Sequence, residues 1–560
     1  MCGFIYQRKK KFKFRLSKNL FKSASKLIYH RGPDNKNYVF DEFSHIFHSR
    51  LKIIDLLDRS NQPMTRYGYT IIFNGEIYNF EKIKKELKRD FKFSTNSDTE
   101  VLLFSFIKWG ERMFDKLNGM YSFIIYNNSK NLIFCARDLF GQKPLYFSNN
   151  KDQIIFSSEI KPILKLIKSS KLKLEDKEIN KYLNFNYYGE SNLTFFKEIY
   201  QLQPGSFGYF KKNKLIIKKI KYKNSVRKID TKYTLNTLKN EISEHLVSDV
   251  EMAIMISDGV DSKSILDITK KIFKKDLKLF NLNFEKFDNN IFQKKYSKID
   301  KKNLFVTKFL KKEMFNFLNK TSLVCEAPPL SLFNLGLMKL FKKIKLKKIK
   351  VVLNGQGIDE VFGGYNIKFI TQSHNNKINP DGKIFLKDKN IYLKKIMKLK
   401  KNDNFKEQRK NLVFKSKIPK NLCQYDKISM NYSIECRSPY LTKNLANFID
   451  KLKLNQLYSK NYSKYIFRKT MFNLTKDNFY FRKKNFYQSP QDAFMKESRN
   501  LAKIEKIIKR KNYCDKYFNK SKLLNYLEDF KKSKNNGFVI WQYISLNSFI
   551  NNFNKFILNN

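Results

Sequence analysis

Cysteine stands at position 2, followed by glycine. Once Met1 is removed, Cys2 carries a free α-amine, whose ordinary pKa of about 7.7–8.0 suits it to take the proton of its own thiol. One chain end then supplies both nucleophile and base. Farther along, Ser257-Asp258-Gly259-Val260-Asp261-Ser262-Lys263 lies where an apolar run passes into a helical pattern. A Ser- and Gly-containing loop at such a point turns backbone N–H groups and a helix amino end toward an anion, so phosphate is its natural guest. The spacing is not G-x-x-x-x-G-K-S/T, which argues against a Walker nucleotide site. A third run, Asn354-Gly355-Gln356-Gly357-Ile358-Asp359-Glu360-Val361-Phe362-Gly363-Gly364-Tyr365, comes directly after the apolar segment Val351-Val352-Leu353. Its glycines let the backbone approach a nucleotide closely, and Asp359 with Glu360 offers the hard oxygen ligands that magnesium prefers.

These residues need elements to hold them. The first 210 residues or so read as short strands punctuated by turns, with candidates at Tyr69 to Phe73, Met120 to Tyr126, Leu132 to Ala136, and a pair at Pro144 to Phe147 and Gln153 to Phe156. Helices are predicted over Phe80 to Arg89 and Thr99 to Leu117, the second announced by the capping pair Ser97-Asp98. After a Lys-rich stretch the rhythm changes. Strands at Glu251 to Ile256, Leu277 to Phe284 and Ile349 to Leu353 alternate with helices such as Asp261 to Phe273. That alternation predicts a parallel sheet flanked by helices, with ligands at the carboxyl ends of its strands.

Composition sets the outer bounds. The chain has 560 residues, 42% of them hydrophobic, enough for two large domains and too apolar for a disordered protein. Its formal charge is +62, a value that raises a polyanion partner. The lysines are spread through nearly every segment, however, so nucleic acid is an unfavoured partner. No apolar run is long enough for a membrane span, and Lys9-Lys10-Lys11 comes after the amino terminus where a signal peptide would carry its apolar core, so a cytoplasmic location is expected. Six dispersed cysteines and five histidines form neither a C-x-x-C nor an H-E-x-x-H pattern, which argues against disulfides and a transition metal.

Cys2 gains meaning from four runs downstream of it: His30-Arg31-Gly32-Pro33-Asp34, His48-Ser49-Arg50-Leu51-Lys52-Ile53-Ile54-Asp55, Phe73-Asn74-Gly75-Glu76-Ile77-Tyr78-Asn79 and Ser97-Asp98-Thr99-Glu100. Alone, Asn74-Gly75 would read as a turn pair. In this order and spacing, the chain resembles the glutamine-hydrolysing asparagine synthetase B family, through Ala136-Arg137-Asp138 and onward to Leu202-Gln203-Pro204-Gly205. The resemblance implies an α+β N-terminal-nucleophile (αββα) glutaminase domain over 2–210, a linker over 211–230, and an α/β parallel-sheet adenine-nucleotide (PP-loop) synthetase domain over 231–560. It implies Cys2 as nucleophile, Asn74 and Gly75 as donors to the oxyanion, and Arg50, Ile53, Asn74, Glu76 and Asp98 as the glutamine site. Arg50 would hold the substrate α-carboxylate, and Glu76 with Asp98 its α-ammonium.

The 257–263 run is similar to the pyrophosphate loop S-G-G-x-D-S-S of enzymes that split ATP between its α- and β-phosphates. Ser257, Gly259, Asp261 and Ser262 match, whereas Asp258 replaces a glycine and Lys263 a serine, a pair expected to offset each other in part. The resemblance implies Ser257, Asp258, Gly259, Asp261, Ser262, Asn354, Gly355, Asp359 and Glu360 as the ATP site, with Asp261 and Asp359 as magnesium ligands. Gln356 stands where some family members carry Glu, so no carboxylate base is available there. Asp426-Lys427-Ile428-Ser429-Met430, Glu435-Cys436-Arg437-Ser438-Pro439 and Lys464-Tyr465-Ile466-Phe467-Arg468 continue the match, with Lys464 expected at the acyl-adenylate.

The implied activity is glutamine-dependent amidation of a carboxylate at the expense of ATP, with aspartate first and a sugar carboxylate of surface polysaccharide second. The acceptor is expected to be sensitive to Asp258, Lys263 and Glu326-Ala327-Pro328-Pro329. A homodimer is compatible with the family. A nucleic-acid-binding protein is the alternative from another class, and it predicts steep salt dependence independent of Cys2.

Overall fold

The computed structural model describes residues 2–168, 171–186, 188–189, 191–211, 213–221, 228–285, 301–364, 405–459, 461–482 and 489–559. Tyr365, the end of the glycine-rich run, and part of the expected linker lie outside them. Among the described residues the first half forms two six-stranded antiparallel sheets. Its strands are β1 (Cys2–Lys9), β2 (Asn35–Phe40), β3 (Ser44–Arg50), β4 (Met64–Arg66), β5 (Tyr69–Ile77), β6 (Gly119–Asn127), β7 (Leu132–Arg137), β8 (Tyr146–Asn149), β9 (Gln153–Ser157), β10 (Tyr200–Gln201), β11 (Ser206–Lys211) and β12 (Lys214–Lys219). One sheet runs β10-β8-β9-β1-β3-β2 and the other β12-β11-β7-β6-β5-β4.

Strand alternation explains the layering, since successive side chains face opposite ways. On β1, Phe4 and Tyr6 enter a core shared with Ile72 and Ile124 of the other sheet. The intervening Ile5 packs outward with Phe21 of helix α1 (Lys18–Lys26). On β5, Ile71 and Phe73 face away from the second sheet's partner, onto Val101 and Phe104. Those two residues belong to α3 (Asp98–Trp109), which comes after α2 (Phe80–Leu87). The result is a helix–sheet–sheet–helix stack, the expected αββα arrangement. Strand β12 falls within the segment predicted as linker and extends the second sheet at its edge. Helix α3 starts as predicted, with Ser97 Oγ accepting from the Thr99 N–H (3.1 Å), but it stops short of Leu117. Gly110 adopts φ +54°, which an α-helix cannot continue through, and Gly110–Asp115 forms tighter turns instead.

The second half is built on a parallel sheet ordered β15-β14-β13-β16-β17, with β13 (Met252–Met255), β14 (Lys278–Phe284), β15 (Leu304–Phe309), β16 (Val351–Leu353) and β17 (Glu435–Arg437). Helices cover both faces, which is why these strands are apolar on both sides: Ile254 and Leu353 join one apolar cluster, Ala253 and Val352 the other. The chain leaves β13 toward β14 and later returns to its opposite side as β16. That reversal opens a crevice at the carboxyl ends of β13 and β16, the two strands that precede the phosphate-type loop and the glycine-rich run.

The apolar clusters do not respect the domain division. Leu51 and Phe73 share one with Ile254 and Leu353, and Ile5 and Phe47 share the other with Leu335 and Trp541. Among the described residues no helix is long and apolar enough to cross a membrane.

Candidate functional site

Cys2 opens β1 and pairs in register with Arg50, the last residue of β3. Its backbone N–H donates to Asn74 Oδ1 (3.2 Å), and its carbonyl accepts from Arg31 Nε (3.1 Å). With its oxygen so engaged, Asn74 leaves Nδ2 buried with no hydrogen-bond partner among the described residues, a pair of donors held ready. Gly75 comes next on β5, where a Cβ would lie 2.2 Å from the Met120 carbonyl oxygen, so β5 and β6 admit only glycine at this point. Cys2, Arg50, Ile53, Gly75, Glu76 and Asp98 line one pocket of about 310 Å³. All seven residues predicted for the first site therefore meet around Cys2.

The pocket is polarised. On one side, Arg50 is fixed by backbone oxygens, with Nη1 donating to Leu57 O (2.9 Å) and Nη2 to Ile54 O (3.2 Å); among the described residues no carboxylate pairs with it. On the other side lie two buried carboxyls. Burial pushes Asp98 up to about 6, even though the Ile77 N–H donates to its Oδ2 (3.0 Å). Burial and the adjacent Asp98 raise Glu76 well above the usual carboxylate range, opposed by Arg437, whose Nη2 is 3.4 Å from Glu76 Oε2. Burial also pushes the Cys2 thiol up, with the positive amino end of the chain pulling the other way. A thiol in that state needs a base close by. Burial lowers His48 to about 3 and its Nε2 is occupied by Phe73 O (3.1 Å), so no imidazole fills that role from there.

The second constellation sits at the crevice. Ser257 and Ser262 close the loop after β13: the Ser257 N–H donates to Ser262 Oγ (2.9 Å), and the Gly259 N–H to Ser257 Oγ (3.2 Å). Helix α4 (Val260–Lys271) then begins. The loop after β16 lies against it, because a Cβ on Gly355 would stand 3.1 Å from Ser262 N. Asn354 anchors that second loop: Arg437 O accepts from its N–H (2.9 Å) and from its Nδ2 (3.0 Å). Lys464, buried and in the left-handed region at φ +57°, puts Nζ 2.5 Å from Asp261 Oδ1 and 2.6 Å from Asp359 Oδ1. Burial works against its charge, but the two carboxylates outweigh that and raise the Lys464 ammonium above the ordinary lysine value. Three sequence runs separated by about a hundred residues each thus converge on one ammonium. Two carboxylates able to share one cation fit the oxygen-only, sparsely protein-ligated habit of magnesium on phosphates. Glu360 is buried beside them, with Lys417 Nζ 3.9 Å away.

One expectation fails. Lys263 does not offset Asp258, because its Nζ is held by Asp267 (2.6 Å) and Asp477 (3.0 Å) on the flank of α4. An i,i+4 partner on its own helix is closer than the loop two turns of backbone away. Glu326, in the segment expected to bear on the acceptor, is buried. Its carboxylate accepts from the Ile160 N–H (2.9 Å) and the Lys161 N–H (2.7 Å) and pairs with Lys427 Nζ (2.6 Å), joining the two halves. A parallel contact was invisible in the sequence: Asp426 takes Arg31 Nη2 (2.8 Å) on one oxygen and Lys143 Nζ (3.1 Å) on the other, all three buried. Asp426 and Arg31 both stood in recognised motifs, but nothing in either motif named the other as its partner.

Both halves resemble known proteins. Residues 1–222 match the family model for a glutamine amidotransferase domain, and residues 234–550 match the model for asparagine synthase. A Bacillus subtilis protein named asparagine synthetase [glutamine-hydrolyzing] 1 is 28% identical over 98% of this chain and 97% of its own length. A second from that organism, asparagine synthetase [glutamine-hydrolyzing] 3, is 28% identical over 82% of each chain. A Gibberella zeae protein named amidase chry2 is 26% identical over 61% of this chain and 54% of its own. With a polar pocket at Cys2, a parallel-sheet crevice at Lys464 and the asparagine synthase model covering more than half its length, the chain belongs to the asparagine synthase family, headed by a glutamine amidotransferase domain.

Proposed function

We propose that this chain hydrolyses glutamine at Cys2 and spends the ammonia at the Lys464 crevice, where ATP activates aspartate for conversion to asparagine. The observation that carries the reading is the polarity of the Cys2 pocket, with the Arg50 cation on one side and Glu76 and Asp98 on the other. A free α-amino acid presents the opposite pattern, carboxylate and ammonium, while its side chain reaches the sulfur.

In this reading the Cys2 thiol passes its proton to the Cys2 α-amine as sulfur attacks the glutamine amide carbon. The oxygen that gains charge is met by Asn74 Nδ2 and the Gly75 N–H, donors whose effect is largest in a buried site. The amine returns the proton to the departing nitrogen, the C–N bond breaks, and water then cleaves the thioester to glutamate. Ammonia needs an internal route, since in neutral water it would mostly become non-nucleophilic ammonium. At the crevice an aspartate carboxylate oxygen attacks the α-phosphorus of ATP and pyrophosphate leaves. Ammonia then attacks the acyl carbon, giving asparagine and AMP. Ser257, Asp258, Gly259, Ser262, Asn354 and Gly355 would hold the nucleotide, and Lys464 the α-phosphate. Asp261, Asp359 and Glu360 would supply oxygens toward magnesium, which when bound lends positive charge to the departing pyrophosphate.

Two measurements test this reading. Glutamine-fed AMP release by the full chain is assayed with aspartate, glutamate and a set of uronic acids. Asparagine formation from aspartate supports the reading; AMP release with a uronic acid alone moves the acceptor to a sugar carboxylate. AMP release with none, together with salt-sensitive polynucleotide binding indifferent to Cys2, overturns it. The second is a pH profile. Burial raises both carboxyls of the pocket, Asp98 to about 6 and Glu76 well above the usual range, and a protonated carboxyl cannot balance an ammonium, so kcat/KM for glutamate release falls on the acid side; Asp98→Asn lowers the plateau and leaves the limb to Glu76.

A further inference from the structure

Arg437 lies on β17, in the second half of the chain, yet it is the cation that reaches Glu76 in the Cys2 pocket. It is fully buried. Its Nε meets Glu435 Oε1 at 2.5 Å, and its Nη1 donates to the carbonyls of His245 and Val247, both at 2.7 Å. Tyr78, two residues beyond Glu76, lies tilted against His245 with ring centroids 3.7 Å apart and presents its own ring 5.6 Å from the guanidinium. The guanidinium is thus immobilised by five groups. Its contact with Glu76, at 3.4 Å, is looser than that with Glu435, which leaves the Glu76 oxygens available to a second cation.

We propose that Arg437 is a positioning residue of the glutamine site, holding the Glu76 carboxyl in the place where it receives the α-ammonium and favouring its charged form there. The proposal rests on the reading of the Cys2 pocket given above and adds that this pocket is incomplete without the synthetase half. The reasoning is electrostatic. Glu76 and Asp98 are two buried carboxyls in one pocket, and two such groups cannot both stay charged without a cation nearby. Among the described residues Arg437 is the Lys or Arg that forms an ion pair with Glu76. The groups that face Glu76 are Asp98, Glu435, Tyr78, Arg437 and the amino end of the chain, and only the last two favour its charge. Because Asn354 of the crevice loop hangs on the Arg437 carbonyl, one residue touches both sites, through its side chain at one and its backbone at the other.

Arg437→Gln, Arg437→Lys and the double variant Glu435→Gln/Arg437→Gln test this in the full-length enzyme; the double variant avoids stranding Glu435 as an unpaired buried charge. The expected result for the Gln variants is a rise in the KM for glutamine of roughly tenfold or more, since one partner of a buried charge pair is lost. Glutamate release at saturating glutamine changes little, the acid limb of kcat/KM moves upward in pH, and Arg437→Lys recovers part of the loss. Ammonia-fed AMP formation stays near that of the unaltered protein because the backbone carbonyl remains. An unmoved KM and acid limb in the double variant would overturn the proposal. So would ammonia-fed activity falling as far as glutamine-fed activity, the mark of a merely structural role. Failure of the pocket reading looks different: the unaltered protein itself would release no glutamate.

Discussion

Cys2→Ala is expected to lower glutamine-fed product formation by at least about 10³-fold while leaving ammonia-fed formation intact. In the proposed reaction the sulfur is the atom that attacks, and among the described residues around it none offers a substitute: Asn74 is a donor, Arg50 is tied to backbone carbonyls, and His48 is held by Phe73 O. The fold should tolerate the change, because alanine keeps the strand register of β1 with Arg50 and removes one small atom from a residue already 6% exposed. Glutamate release and AMP release, measured with glutamine and then with an ammonium salt at alkaline pH, separate the two activities. Equal loss with both nitrogen sources would mean that Cys2 serves the fold rather than the chemistry.

Lys464→Met should do the reverse. Synthesis is expected to fall roughly 10²- to 10³-fold with either nitrogen source, the usual cost of deleting a fixed charge that meets a developing one, while glutamate release persists. Lys464 also holds Asp261 and Asp359 together, so its loss leaves two neighbouring carboxylates without their cation. That brings a stability cost of up to about 3–5 kcal/mol for a broken buried pair, reduced here because each carboxylate is itself 24% exposed. Lys464→Arg is no rescue, since a planar fork does not fit between the same two oxygens as a compact ammonium does. Pyrophosphate release and thermal unfolding, with and without magnesium and ATP, distinguish lost chemistry from lost structure.

Much of this was legible in the sequence because motifs keep their spacing. Cys2 and Arg50 sit at strand ends, Asn74 inside β5 and Asp98 at the start of a helix capped by Ser97, and the strand before each crevice loop is visible as an apolar run. Legibility ended where contacts depend on distant partners. Helix α3 was predicted too long, since Gly110 can lie inside a helix or end one, and only the tertiary path decides. Lys263 was read against its neighbour in the loop, but its own helix offered Asp267 first. The partners of Asp426, Glu326 and Arg437 lie roughly 100 to 400 residues away, beyond any local pattern.

The Asp426 clasp bears on how such a protein can be re-engineered. One carboxylate in the second half satisfies two cations, Arg31 and Lys143, that belong to different segments of the first. A chimaera that grafts a foreign amidotransferase head onto this body must bring both positive charges with it, or strand an anion at the seam. Module shuffling is therefore constrained less by the chain connecting the halves than by this three-residue lock, and drift at any one of its members has to be answered on the opposite side.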